Sequence, residues 1–211
     1  MSVLSISRQF GAGGWTLGKA IAERLNYRFV SSSVIEEIAK EANISPEWIK
    51  FIEKHAGDWL IRFTSKLVTS STIERYVGEK SDFDENKYVI FLQSIIKRIA
   101  EEDRVVILGR GSQFILQNDP NTIKILFVAD LEDRIAFLQK IWNVTRKEAE
   151  KTIQTREKRR DLFLKHFDKR HPNSLSLYHL IINTSKISIE EAEDMVVWMV
   201  KYHEKGARPP D

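Results

Sequence analysis

The chain has 211 residues, with 33 Lys and Arg against 30 Asp and Glu, a formal net charge of +3 and 42% hydrophobic residues. That is enough apolar material for one sizeable core, and the mild charge fits a small anionic substrate as well as a nucleic acid. The absence of cysteine excludes disulfides, thiolate metal sites and cysteine nucleophiles, and five histidines without a close pair argue against zinc.

Residues 3–7 (VLSIS) read as a buried strand, followed by a glycine-rich turn and a helix over 16–25. YRFV (27–30) reads as a second strand. Helical patterns follow at 33–42, 45–56, 58–77 and 86–101, with a polar break at 78–86. Apolar, β-branched runs at 104–109 (RVVILG), 122–129 (TIKILFVA) and 178–184 (YHLIINT) read as further strands. Helices are predicted at 131–142, 145–166 and 188–203. Asp130, Thr145 with Glu148, and Ser188 with Glu191 are placed to start them. Strand–helix alternation with near-continuous apolar strands predicts an α/β fold on a parallel sheet covered on both faces. No apolar run reaches the ~18 residues of a membrane span, and no basic stretch precedes a long apolar segment near Val3, so a cytoplasmic location is expected.

Gly11, Gly13 and Gly14 follow the first strand within four residues. Such a loop lets backbone N–H groups approach a phosphate, and the next helix aims its N-terminal dipole at the same anion. The loop Gly11, Ala12, Gly13, Gly14, Trp15 and Thr16 is the candidate cradle, with the Thr16 hydroxyl as a candidate Mg²⁺ ligand. The alternative is a tight turn with no ligand. A GxxxxGK[ST] loop would place lysine after its last glycine, where this chain has Gly14. Lys19 and Arg8 are the nearby cations.

Arg110, between Gly109 and Gly111 at the end of a strand, can present its planar fork to a phosphate at the carboxyl edge of the sheet. It could equally be a turn arginine paired to a carboxylate. The segment TREKRRDLFLKHFDKRH carries Arg156, Lys158, Arg159, Arg160, Lys165, Lys169 and Arg170. On a helix Arg156, Arg159 and Arg160 share one face. They fit a solvated face paired with Glu157 and Asp161, a lid closing over polyphosphate, or a nucleic-acid patch. The net charge of +3 ranks nucleic acid last. The apolar series Trp48, Phe51, Ile52, Trp59, Leu60 and Phe63 reads as core or as a contact between two copies, with Glu53 and His55 as lesser polar candidates.

Together ISRQFGAGG (6–14), VVILGRG (105–111), ADLEDRI (129–135), TREKRR (155–160) and INTSKISIEEA (182–192) give the whole chain a resemblance to the cytidylate kinase-like family of P-loop nucleoside monophosphate kinases. The resemblance implies a P-loop NTPase three-layer α/β/α sandwich around a five-stranded parallel sheet in the order 2-3-1-4-5. The implied organisation is one kinase-like domain over 1–211, its core at 1–32, 102–155 and 175–204. A helical monophosphate-binding insertion would occupy about 33–101 and an arginine-rich lid about 156–174. The implied reaction moves the γ-phosphoryl of ATP to CMP or a related monophosphate with Mg²⁺. Gly11–Thr16 would hold the ATP phosphates, Arg110 the acceptor phosphate, Arg156, Arg159 and Arg160 would serve the lid, and Thr184 and Ser185 would line the adenine. A catalytically weak nucleotide-binding or regulatory protein of the same fold is the alternative. Trp15 stands where members often have arginine, SSS (31–33) where an acidic residue is usual, and Gly111 where cytidylate kinases have aspartate.

Overall fold

The computed structural model describes residues 2–31, 85–168 and 173–205. The predicted helices at 33–42, 45–56 and 58–77, and with them Trp48, Glu53, His55 and Trp59, lie outside the described residues. The chain divides into two compact units, Met1–Phe29 with Asp103–Asp211, and Val30–Glu102.

Five strands form one sheet in the order β2-β3-β1-β4-β5: β1 (Val3–Arg8), β2 (Arg28–Val30), β3 (Val105–Leu108), β4 (Thr122–Val128) and β5 (Leu180–Asn183). The central β1 pairs in parallel with β3, Val3 opposite Val105, and with β4, Arg8 opposite Phe127. β4 pairs in parallel with β5, Val128 opposite Asn183. This is the sheet order that the resemblance implies. Because β1, β3 and β4 lie inside the sheet, both their faces are covered: β3 is apolar throughout, and β1 buries the polar Ser5 and Ser7 between its apolar residues. Lys124 is the charged residue buried within β4. Its stem is buried and its Nζ donates to the carbonyls of Leu116 (3.4 Å) and Gln117 (3.1 Å), which satisfies the charge at the sheet margin.

The helix α1 (Gly14–Leu25) and the final helix α6 (Ile189–Glu204) pack on one face of the sheet. Leu17 and Ile21 of α1, and Ala192, Val196 and Val200 of α6, join Leu4, Ile6, Val106, Leu108, Ile125 and Phe127 in one buried cluster. Each large aliphatic removed from water there contributes about 1.5–3 kcal/mol. The chain leaves α1 through Asn26 in the left-handed conformation (φ 54°), whose N–H closes on the Ala22 and Glu23 carbonyls. In the second unit, α2 (Glu85–Glu101) buries Val89, Leu92, Ile95, Ile96 and Ile99, the stripe of an amphipathic helix.

At the carboxyl edge of the sheet, α4 (Leu131–Trp142) and α5 (Arg146–Leu164) form a hairpin with its own small core of Ile135, Leu138, Ala149 and Ile153. A four-residue helix, α3 (Ser112–Ile115), follows β3; the sequence pattern gave no sign of it. Two of the three predicted helix starts are capping boxes, Thr145 with Glu148 and Ser188 with Glu191. Asp130 is the correction. It stands at the N-cap of α4, but its carboxylate accepts from Lys186 Nζ (2.6 Å) and Asn183 Nδ2 (3.4 Å) instead of capping, and so ties the β4 and β5 turns together.

The β4–β5 pairing extends one residue beyond β5 through a side chain. His179 N–H donates to the Lys124 carbonyl (2.8 Å), and His179 Nδ1 accepts from the Lys124 amide (2.9 Å). Burial, then the neighbouring charges of Lys124 and His203, hold the His179 pKa below its ordinary 6.5. The folded state therefore resists a proton that the unfolded chain accepts. Stability from this contact is complete above about pH 6.5 and is lost as pH falls through the folded pKa. Melting curves from pH 8 to 5 are expected to fall less for His179→Gln, whose amide oxygen still accepts, than for the wild type. Equal slopes would remove His179 as the cause.

Candidate phosphate-binding site

The loop between β1 and α1 is built from backbone turns. Gly11 (φ 88°) and Gly13 (φ 73°) are left-handed, and Gly13 is the N-cap of α1. The helix therefore starts two residues before the predicted Thr16. No side chain caps it and its first turn holds no acidic residue, an arrangement that favours an anion at the first-turn N–H groups. Gly11 is required for a second reason, since a Cβ there would stand 3.0 Å from Leu138 Cδ1 and 3.1 Å from Arg134 Cβ.

Phe10 anchors the loop to the hairpin. Its ring packs against the α4–α5 core, edge-on to Trp142 (5.7 Å), and Arg156 lies over it at 5.6 Å. Its N–H donates to Glu157 Oε1 (2.5 Å), so a carboxylate of α5 accepts a loop amide. Glu157 also faces Arg134 Nη1 (3.7 Å) and Arg160 Nη1 (3.6 Å). Arg134 Nη1 also donates to the Phe10 carbonyl (3.5 Å), while its buried Nε has no hydrogen-bond partner among the described residues.

Arg8, the last residue of β1, runs between the first turn of α1 and the turn after β3. A Cβ on Gly14 would meet Arg8 Cβ at 2.7 Å and Cγ at 2.8 Å, and a Cβ on Gly109 would land on Arg8 Nη1. The Arg8 pKa is pushed down to about 10, first by burial and then by the charges of Arg110 and Arg160, with Glu157 acting in the opposite sense. It stays protonated at neutral pH. Arg110 is left-handed (φ 57°) between Gly109 (φ 77°) and Gly111 (φ 72°), so the turn holds its side chain at the sheet's carboxyl edge. The segment just after α5 closes on this turn. Phe167 covers Gly111, stacks on Phe114 at 5.9 Å and meets Phe163 edge-on at 5.4 Å.

The structure divides the three α5 arginines that helical spacing puts on one face. Arg160 belongs to the group around Arg8, and it also contacts Asp161 (3.5 Å) and Asn173 Oδ1 (2.9 Å). Arg156 stacks on Phe10, and Arg159 is exposed. Thr16 is exposed in the first turn of α1. Trp15 is 46% exposed, edge-on to Phe29 at 6.3 Å, with Lys19 5.7 Å from its ring centroid. Lys19 also pairs with Glu23 (3.8 Å) along the helix surface and takes no part in the contacts that join Arg8, Arg110 and Arg160. The Thr184 hydroxyl lies 3.3 Å from the Ala12 carbonyl and 3.2 Å from that of Val128, while Ser185 Oγ accepts from the Asp130 amide (2.8 Å). The turn after β5 thus braces the phosphate loop. Sequence reasoning missed Arg134 and the central place of Glu157. The close approach of α4 at Gly11 signals the first, and the i, i+3 step from Glu157 to Arg160 the second.

The site fits a polyphosphate. It combines an uncapped helix N-terminus, glycines that clear the approach, converging guanidiniums and an orphaned buried Nε on Arg134. Among the described residues there is no cluster of three acidic or histidine side chains that would hold a metal. A Mg²⁺ ion here would rest mainly on nucleotide oxygens and water, with Thr16 as the nearest loop hydroxyl. No helix among the described residues is long and apolar enough to cross a membrane.

A parallel sheet in this order, with a glycine loop leading from its central strand into an uncapped helix, defines a P-loop kinase fold, the fold of nucleotide-binding phosphotransferases. The comparisons with known proteins agree. The model of the cytidylate kinase-like family matches residues 3–186, and the chain belongs to that family. It is 28% identical over 200 residues to a cytidylate kinase of Methanocaldococcus jannaschii, covering 92% of this chain and 94% of the relative. An uncharacterized protein from Eubacterium ventriosum superimposes with a TM-score of 0.67 at 20% identity, covering 95% of this chain and 99% of that one. The shikimate kinase of Acinetobacter baumannii, in complex with shikimate, superimposes with a TM-score of 0.51 at 13% identity, covering 97% and 95%.

Proposed function

We infer that the protein transfers the γ-phosphoryl group of ATP to a nucleoside monophosphate of the CMP type, giving ADP and the diphosphate. The observation that carries this is the convergence of the Gly11–Thr16 loop, Arg110 and Arg160 at one end of β1 and β3. A phosphate oxygen of the acceptor attacks the γ-phosphorus. The bond to the β-phosphate bridging oxygen breaks, and that oxygen leaves with ADP. No side chain need act as nucleophile, so catalysis is positioning and charge neutralisation. The loop amides and the α1 N-terminus hold the donor phosphates. Arg110 holds the acceptor phosphate, and Arg160 and Arg156, carried on the lid helix, neutralise charge and exclude water. Mg²⁺ bound with the nucleotide would supply charge neutralisation, with the Thr16 hydroxyl as the chain's candidate ligand. On this reading Thr184 and Ser185 would line the adenine. On the same reading the cytoplasm, where ATP and nucleoside monophosphates are found, is the expected location.

A coupled assay with Mg-ATP against CMP, dCMP, UMP, AMP and GMP tests this, and turnover is expected with a pyrimidine monophosphate. One observation favours a second reading, a nucleotide-binding protein with little or no transfer: Gly14 and Trp15 stand where a Walker loop has lysine and a hydroxyl residue. ATP binding by calorimetry without transfer to any of the five acceptors would decide for it.

A further inference from the structure

We propose that Arg8 is the phosphate-gripping cation of this loop, moved from the end of the loop to its beginning. The inference rests on the donor-binding role of the loop and gives it a residue. Aligned on Gly13, the pattern GxxxxGK[ST] puts its first glycine on Arg8, its lysine on Gly14 and its hydroxyl residue on Trp15. The chain therefore reads R-x-x-x-x-G-G, with glycine and cation exchanged between the two ends.

The structure explains why the exchange is reciprocal. The stem of Arg8 occupies the space into which a side chain at 14 would project, with Cβ and Cγ 2.7 and 2.8 Å from the Cβ that a residue there would carry. A lysine at 14 and an arginine at 8 exclude each other. Gly109, left-handed at φ 77°, clears the far side, so the guanidinium passes beneath the β3 turn toward Arg110 and Arg160. Arg8 thus lies in the same small volume as the N-terminus of α1 and two arginines from other elements.

That position is poor for stability and good for holding an anion. Burial and two like charges weigh against the ionised Arg8, and Glu157 is the carboxylate that opposes them. A charge kept in such surroundings costs the empty protein and is repaid when a polyanion arrives. A merely structural arginine behaves in the opposite way, because its removal destabilises the fold.

The test uses the full chain with Mg-ATP and the best acceptor of the assay above. Arg8→Met keeps the aliphatic stem against Gly14 and removes the charge. It is expected to leave the melting temperature unchanged or raised, to weaken ATP binding at least ~10-fold and to lower kcat about 100-fold. Arg8→Lys is expected to lose less than Arg8→Met. The double variant Arg8→Gly with Gly14→Lys, which restores the Walker spacing, is expected to recover ATP affinity to within about 5-fold of wild type. ATP affinity and turnover in Arg8→Met equal to wild type would overturn the proposal, as would a lowered melting temperature without loss of ATP affinity. A wild type that binds ATP but transfers to no acceptor would end the kinase reading alone, and Arg8 would then stand or fall on the affinities. A wild type that binds no nucleotide would end both.

Discussion

Arg110→Ala is expected to lower kcat/KM for the nucleoside monophosphate about 100- to 1000-fold while leaving Mg-ATP affinity within about 2-fold. The asymmetry follows from position. Arg110 is presented by the turn after β3, held left-handed between Gly109 and Gly111, whereas the loop proposed for the donor phosphates follows β1. The acceptor phosphate carries up to two negative charges and supplies the attacking oxygen, so its orientation sets the in-line geometry. A planar fork fixes that orientation with two donors; Arg110→Lys keeps the charge but loses the fork and is expected to recover only part of the activity. Steady-state kinetics with acceptor varied at saturating ATP, beside ATP calorimetry, reads both quantities. Unchanged acceptor kinetics would take this role from Arg110.

Gly111→Asp is expected to destabilise the protein by about 2–5 kcal/mol. Leaving glycine at φ 72° costs a side-chain-bearing residue about 1–2 kcal/mol. The new Cβ would also stand 2.5 Å from Phe167 Cε2, so the ring must leave its stack on Phe114 and its edge contact with Phe163, worth about 0.5–1.5 kcal/mol each. The aspartate found after the arginine in cytidylate kinases has no room here, because Phe167 covers the position. Denaturant midpoints give the loss directly. Combining Gly111→Asp with Phe167→Ala is expected to cost less than the sum of the two, since the second change removes the obstacle to the first. A Gly111→Asp midpoint equal to wild type would refute this account of the lid contact.

Much of the fold is legible because local signals agree with one another. The β-branched runs at 105–108 and 122–128 have few alternatives to a covered strand, and the capping boxes at Thr145 and Ser188 set helix starts within a residue. Asp130 shows the limit of such signals. The same carboxylate that suits an N-cap also suits a lysine, and tertiary placement of Lys186 decided between them. The α5 arginines show a further limit. Helical periodicity groups Arg156, Arg159 and Arg160, but it carries no information on which side of that face meets the loop. Arg134 was invisible for the same reason: nothing within ADLEDRI says that the first turn of α4 lies against Gly11. The exchange between positions 8 and 14 needed both the spacing and the contact, because a glycine in a sequence does not reveal whose side chain fills its place.

That mutual exclusion has a consequence for how such loops change over time. A chain moving from the lysine-bearing loop to the arginine-bearing one by single substitutions passes through either glycine at both ends or cations at both ends. On the role proposed for Arg8 the first intermediate would lack the cation that grips the phosphate, and in the second two side chains contend for one space. The positions are therefore epistatic: the effect of a substitution at either end reverses sign with the residue at the other. The two loop types should stand as separate solutions divided by a fitness valley, with glycine and cation changing hands in pairs.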